Sequence, residues 1–109
     1  MANTFKLKTK ANVGVTTVGI YTAPASTTTV VIGITLANTS GSGVNVGVGI
    51  TRAGTTEDVK LLKNAPIPSG SSLEFMAGNK VVLQTTDTLT VDSDTNNSVD
   101  DSLTMMEIT

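Results

Sequence analysis

The sequence contains no cysteine, no histidine and no tryptophan. Without cysteine there is no disulfide framework, and without cysteine or histidine the usual zinc sites cannot form. Aromatic residues are scarce as well, with one Tyr and two Phe in 109 residues, so platforms on which sugars or bases could stack have little to be built from. Charge is thin at 15% of residues, where the surface of a free soluble domain carries about 25–35%. Residues 11 to 51 hold no Asp, Glu, Lys or Arg at all. That stretch is still no membrane helix, because Thr, Ser, Asn and Gly interrupt its apolar residues well short of the roughly 18 consecutive positions a span needs. A water-compatible but uncharged surface of this extent is expected to be covered by other protein, so the chain reads as part of an assembly.

What charge there is lies segregated. Lys6, Lys8 and Lys10 stand alone at the front, and from Val81 onward the chain is acidic or neutral, for a formal net charge of -2. Three lysines without aromatic or polar readers do not make a nucleic-acid surface. The opening MANTFKLKTK has no apolar segment after its lysines, which argues against a secretory signal and for synthesis in a cytoplasm. The length suits one domain with a modest core. We expect an N-terminal arm or edge strand over 1–10 and a single domain over 11–109.

Period-two alternation dominates the chain and predicts strands. Val30, Ile32, Ile34 and Leu36 alternate with Val31, Gly33, Thr35 and Ala37, and Val44, Val46, Val48 and Ile50 alternate with Asn45, Gly47, Gly49 and Thr51. The polar, glycine-bearing segment 37–43 between them suggests an antiparallel pair. Phe5 and Leu7 alternate with lysines in a short N-terminal strand, and Val13 to Tyr21 forms another with Gly14 and Gly19 as bend or bulge sites. Pro66 and Pro68 cannot donate to a ladder and mark an edge or extended connection. Further short strands centre on Leu73 and Phe75, Val81 and Leu83, Leu89 and Val91, and Leu103 to Ile108, and a short helical turn is allowed for around 57–63. The expected fold is all-β, an antiparallel β-sandwich of jelly-roll or Ig-like type.

Segments 21–46 (YTAPASTTTVVIGITLANTSGSGVNV), 65–75 (APIPSGSSLEF) and 81–94 (VVLQTTDTLTVDSD) together resemble a widespread kind of small tailed-bacteriophage virion protein. The shared order is a turn, a β-branched strand, an Asn-Thr-Ser turn, a second strand, a proline-serine segment and an acidic strand. The resemblance implies a β-sandwich carried on the virion and made in the host cytoplasm, either as a capsid decoration (cement) subunit or as a neck, tail or fibre-base component. It brings no residue-level binding site.

Two constellations tempt a chemical reading. Asp92, Asp94, Asn96, Ser98 and Asp100 place oxygens at alternate positions of a calcium-loop pattern, but Asn97 and Leu103 stand where the pattern needs Gly and Glu. A solvated acidic loop is the plainer reading. Asp92 and Asp94 lie two apart on a strand, about 6.5–7 Å along the backbone, the scale of a glycosidase pair, yet no aromatic platform is near them in sequence. No catalytic residue, cofactor or metal is expected. The expected partners are instead a second copy of the chain, with a trimer as first guess, and the major capsid protein or another virion protein, with neither nucleic acid nor membrane. The candidate contacts are Phe5, Lys6, Leu7, Lys8 and Lys10 on the arm and Gly33, Gly47 and Gly49, whose bare backbone would let another sheet approach. A carbohydrate- or receptor-binding β module is the alternative from a different class.

Overall fold

A computed structural model describes residues 3–52, 57–75 and 80–109, apart from the Phe75 side chain. The polar segment 52–58 (RAGTTED), which its sequence marks as a loop, lies mostly outside the described residues. Among these residues the chain forms no helix and nine strands: β1 (Asn3–Val13), β2 (Val18–Thr22), β3 (Thr28–Asn38), β4 (Val44–Thr51), β5 (Asp58–Ile67), β6 (Ser72–Phe75), β7 (Val81–Leu83), β8 (Thr88–Ser93) and β9 (Val99–Ile108). The first sheet runs β1-β9-β3-β6, with β7 on the same edge of β3 as β6, and the second runs β2-β8-β4-β5. All pairs are antiparallel.

The order of pairing is that of one long ribbon rolled up. β4 pairs β5, β3 pairs β6 and β7, β2 pairs β8 and β1 pairs β9, so the first half of the chain lies against the second. Rolling then joins β3 to β9 and β4 to β8. This is the jelly-roll path, one of the ways all-β chains dispose of sheet edges. The core lies between the sheets, where Val31, Ile34, Leu36, Leu103 and Met105 of the first meet Val46, Val48, Leu89 and Val91 of the second, all essentially out of solvent.

Several sequence expectations are corrected. β3 and β4 are not a hairpin pair, because the segment between them crosses from one sheet to the other: Asn38 Nδ2 donates to the carbonyls of Ser42 and Ile67 at 2.8 and 2.9 Å and turns the chain over the end of the sandwich. The alternation in β3 breaks at a bulge between Val31 and Gly33. Val31 faces the core before it and Ile34 and Leu36 after it, so Val30 and Ile32 point outward instead of sharing a face with them. A one-residue insertion shifts the two-residue period by half, which strict alternation cannot reveal. Residues 13–21 do not form one strand, since 14–17 carry the chain across to the second sheet. The helical turn allowed for at 57–63 is strand β5, an edge strand in which Pro66 sits as a residue without an N–H must. Gly19 does mark a bulge, between Gly19 and Tyr21.

Candidate assembly surface

Alternation along the first sheet sorts its residues into an inner face on the core and an outer face. The register aligns the outer face in rows across the strands: Phe5, Met106, Val30 and Val82 in one, Leu7, Thr104 and Gly33 in the next, then Thr9, Ser102, Thr35 and Glu74, and finally Asp100, Ala37 and Ser72. Phe5 is 71% exposed, Leu7 64% and Val82 49%, while Val30, Ile32, Met106 and Ile108 are half-buried beside them. Among the described strand residues turned outward on this sheet the charges are Glu74 and Asp100, both at the end away from Phe5. A contiguous apolar patch with so little charge is unusual on a free domain and common on a contact surface. The bulge in β3 creates it, by turning Val30 and Ile32 out to join Phe5 and Leu7.

Of the expected contact residues, Phe5, Leu7 and Gly33 come together here. At Gly33 a side chain would meet nothing within 4 Å, so the middle of the patch is bare backbone. Lys6, Lys8 and Lys10 point the other way, over the edge of the core. Lys6 Nζ lies 3.2 Å from Glu107 of its own chain, so this candidate contact residue is engaged within the subunit. Inward-pointing charges on a long edge strand also block unwanted pairing of that edge.

Gly47 and Gly49 lie in the second sheet and are buried, not bare outward positions. A Cβ at Gly47 would stand 2.6 Å from Asp92 Oδ1 and one at Gly49 2.9 Å from the Val59 carbonyl. The register shifts of β5 against β4 bring the β5 backbone over these positions, and that close approach accounts for their missing side chains.

Lys6 belongs to a network at the seam between edge strands β1 and β2. The Tyr21 hydroxyl donates to Glu107 Oε2 at 2.6 Å and lies 2.7 Å from the Thr29 hydroxyl, which is left to donate to it. Burial, reinforced by the bond to Glu107, pushes the Tyr21 hydroxyl up to about 12, whereas the bond from Tyr21, with help from Lys6, holds Glu107 below the usual carboxylate range. Tyr21 is thus a fixed proton donor and Glu107 a fixed anion: they tie β2, β3 and β9 together. Lys8 lines the same cavity of about 350 Å³, which Pro24 borders on the other side.

The acidic segment 92–101 has its oxygens turned to separate local partners. Asp92 Oδ2 accepts from Thr17 at 3.0 Å and lies 3.8 Å from Lys60 Nζ, Asp94 Oδ1 accepts from the Asn45 amide at 3.1 Å, and Asp100 Oδ1 accepts from the Asn12 amide at 3.0 Å. Ser98 pairs with Ser93 at 2.7 Å. Among the described residues no three potential ligands from His, Cys, Asp or Glu gather to hold a metal ion. The residues stitch strand ends together.

One polar group escaped the sequence reading. Asp101 is 3% exposed on the inner face, and neither carboxylate oxygen has a hydrogen-bond partner. Burial pushes it up to about 7, with the adjacent Ser102 amide pulling weakly the other way without reaching bonding geometry. Nothing in the run DDS marks this, because which of two adjacent aspartates faces inward depends on the register.

No family model matches the chain and no curated protein matches it in sequence. Two solved structures share its fold. One is a chain of the Bacillus endospore appendages, described as a family of disulfide-linked pili, with a TM-score of 0.57 and 17% identity over 99% of this chain and 87% of that one. The other comes from the T13 IBDV viral particle, with a TM-score of 0.59 and 13% identity over 96% of this chain. This chain spans 30% of the length of that viral chain.

Proposed function

We propose that this protein is a non-enzymatic structural subunit of a virion, a capsid decoration (cement) subunit that stabilises a phage head through protein–protein contacts with its own copies and with the major capsid protein. The observation that carries the reading is the outer face of the first sheet, an almost uncharged surface with the Phe5–Met106–Val30–Val82 row at its heart. Burying such a surface is worth roughly 25 cal/mol per Å² of apolar area, and it is the one resource this chain has in plenty, whereas groups for chemistry are few. The jelly roll and the likeness to a chain of a viral particle support it.

Particles purified from cells that make the protein provide the test, by cryo-electron microscopy together with peptide mass spectrometry. Regular density of this fold on the head surface is expected, and absence of the chain from purified particles would remove the proposal. A filament subunit is a second reading, favoured because the likeness to the pilus chain runs nearly the full length of both. Disulfide links like those of that family are closed to a chain without cysteine, so such a filament would be held by packing alone. Negative-stain images of concentrated protein distinguish fibres from discrete particles.

A further inference from the structure

The outer face that supports the structural reading also carries a depression. At the end away from Phe5, the small side chains of Ala11, Ala37, Thr35 and Ser102 leave a groove of about 340 Å³ between Thr9 and Asp100. Phe5 and Leu7 project from the same face six and four residues before Ala11 on the same strand, so knob and groove are about 20 Å apart at most along β1. A protrusion and a depression on a single face are what a self-complementary two-fold contact requires.

The geometry points to a symmetric pair of copies stacked outer face to outer face, with strands antiparallel and the two-fold axis lying across the sheet at the level of Lys8 and Leu103, which are paired in the register. Reflection of the rows about that level puts Phe5 over the partner copy's Ala11, Val30 over the partner copy's Ala37, and Leu7 over the partner copy's Thr9. Large residues then meet small ones across the interface. The bare backbone of Gly33 falls next to the axis, where nothing within 4 Å would obstruct an approaching side chain. Of the two outward carboxylates, Glu74 stays at the rim in the row of Thr35, and Asp100, which already accepts from the Asn12 amide at 3.0 Å, comes opposite the partner copy's Met106.

Four strands at about 4.8 Å and four outward rows at about 6.7 Å make a footprint of roughly 19 by 27 Å, or about 500 Å² on each copy, so the pair buries on the order of 1,000 Å² in total, the low end for a specific contact and suited to a reversible one. The pair rests on the assembly reading but is narrower, and it replaces the trimer expected from sequence with a two-fold unit that larger assemblies can repeat.

Analytical ultracentrifugation of the full chain over micromolar to millimolar concentration tests it. We expect a reversible dimer, a dissociation constant raised about 100-fold or more by Phe5→Ala with Leu7→Ala, and a comparable loss with Ala37→Arg, which fills the groove. Unchanged thermal midpoints would show that these variants still fold, as outer-face positions should. A monomer at every concentration, a trimer, or a dimer indifferent to Ala37→Arg would overturn the pair. Those results leave the virion reading to its own test, for particles could still bind monomers through another surface. A wild-type dimer that is absent from particles would remove the virion reading and keep the pair.

Discussion

Asp101→Asn should flatten one limb of the protein's pH–stability profile. The wild-type carboxyl is buried without a partner, and burial pushes it up to about 7 from about 3.9 in an unfolded chain. Below pH ~4 it is protonated in both states and has no effect. Between pH ~4 and ~7 the unfolded chain releases its proton while the folded chain keeps it, so stability falls as pH rises, and above ~7 the loss is complete. Three pKa units correspond to about 4 kcal/mol, a ceiling, because Lys10, paired with Asp101 in the β1–β9 register, can swing toward the carboxylate once it ionises. Lys10 is the charged residue on the strands flanking Asp101 in this row, with Leu36 on the other side. Asparagine keeps the shape and cannot ionise. Urea unfolding of both proteins at several pH values isolates the effect, since other titrating groups cancel in the difference. The variant should be about 1–3 kcal/mol more stable than wild type at pH 8, with the advantage gone near pH 4. A difference independent of pH would refute the assignment of Asp101 as a buried, unpaired acid.

The remaining predictions concern the fold's other fixed points. Tyr21→Phe removes the donor that holds Glu107 below the usual carboxylate range and should cost about 1–2 kcal/mol at neutral pH. Glu107 with a lowered pKa contributes stability above its unfolded value that is lost as pH falls through its folded one, so the variant should lose less on acidification, as chemical denaturation at pH 3 to 7 would show. Gly49→Ala drives a methyl into the Val59 carbonyl and should destabilise by about 1–3 kcal/mol, whereas Gly33→Ala should leave the melting midpoint of the isolated chain nearly unchanged and tell only on association. Asp92→Asn with Asp94→Asn should cost about 1 kcal/mol per lost partner, and calcium should not move the thermal midpoint of the wild type. A rise of several degrees with calcium would reveal an oxygen-ligand site in that segment.

The all-β sandwich was legible because period-two alternation recurs along the chain between turn residues, and the edge position of β5 was legible from Pro66. The sheet membership of β3 and β4 was not, since a glycine-rich connector reads alike whether it closes a hairpin or crosses between sheets, and only the long-range partners of Asn38 decide. The arm was picked out by its alternation, and Phe5 and Leu7 do lie on the apolar face with Gly33. The rest of that face was hidden by the bulge at Val31 to Gly33, which sends Val30 and Ile32 out where unbroken alternation would put them on the side of Ile34 and Leu36. Gly47 and Gly49 show the opposite failure: absence of a side chain marks a close approach, and the approaching group is the chain's own β5.

The claim at the centre of this account is that the outer face of the first sheet is covered in the assembled protein. Hydroxyl-radical footprinting of dilute and assembled samples tests it directly, with Phe5, Leu7 and Met106 as reporters on that face and Val59, exposed on β5 of the second sheet, as the control. Assembly should suppress oxidation of the three reporters and leave Val59 as reactive as before. Unprotected Phe5 and Leu7 together with a protected Val59 would place the contact on the opposite side of the molecule and contradict the account.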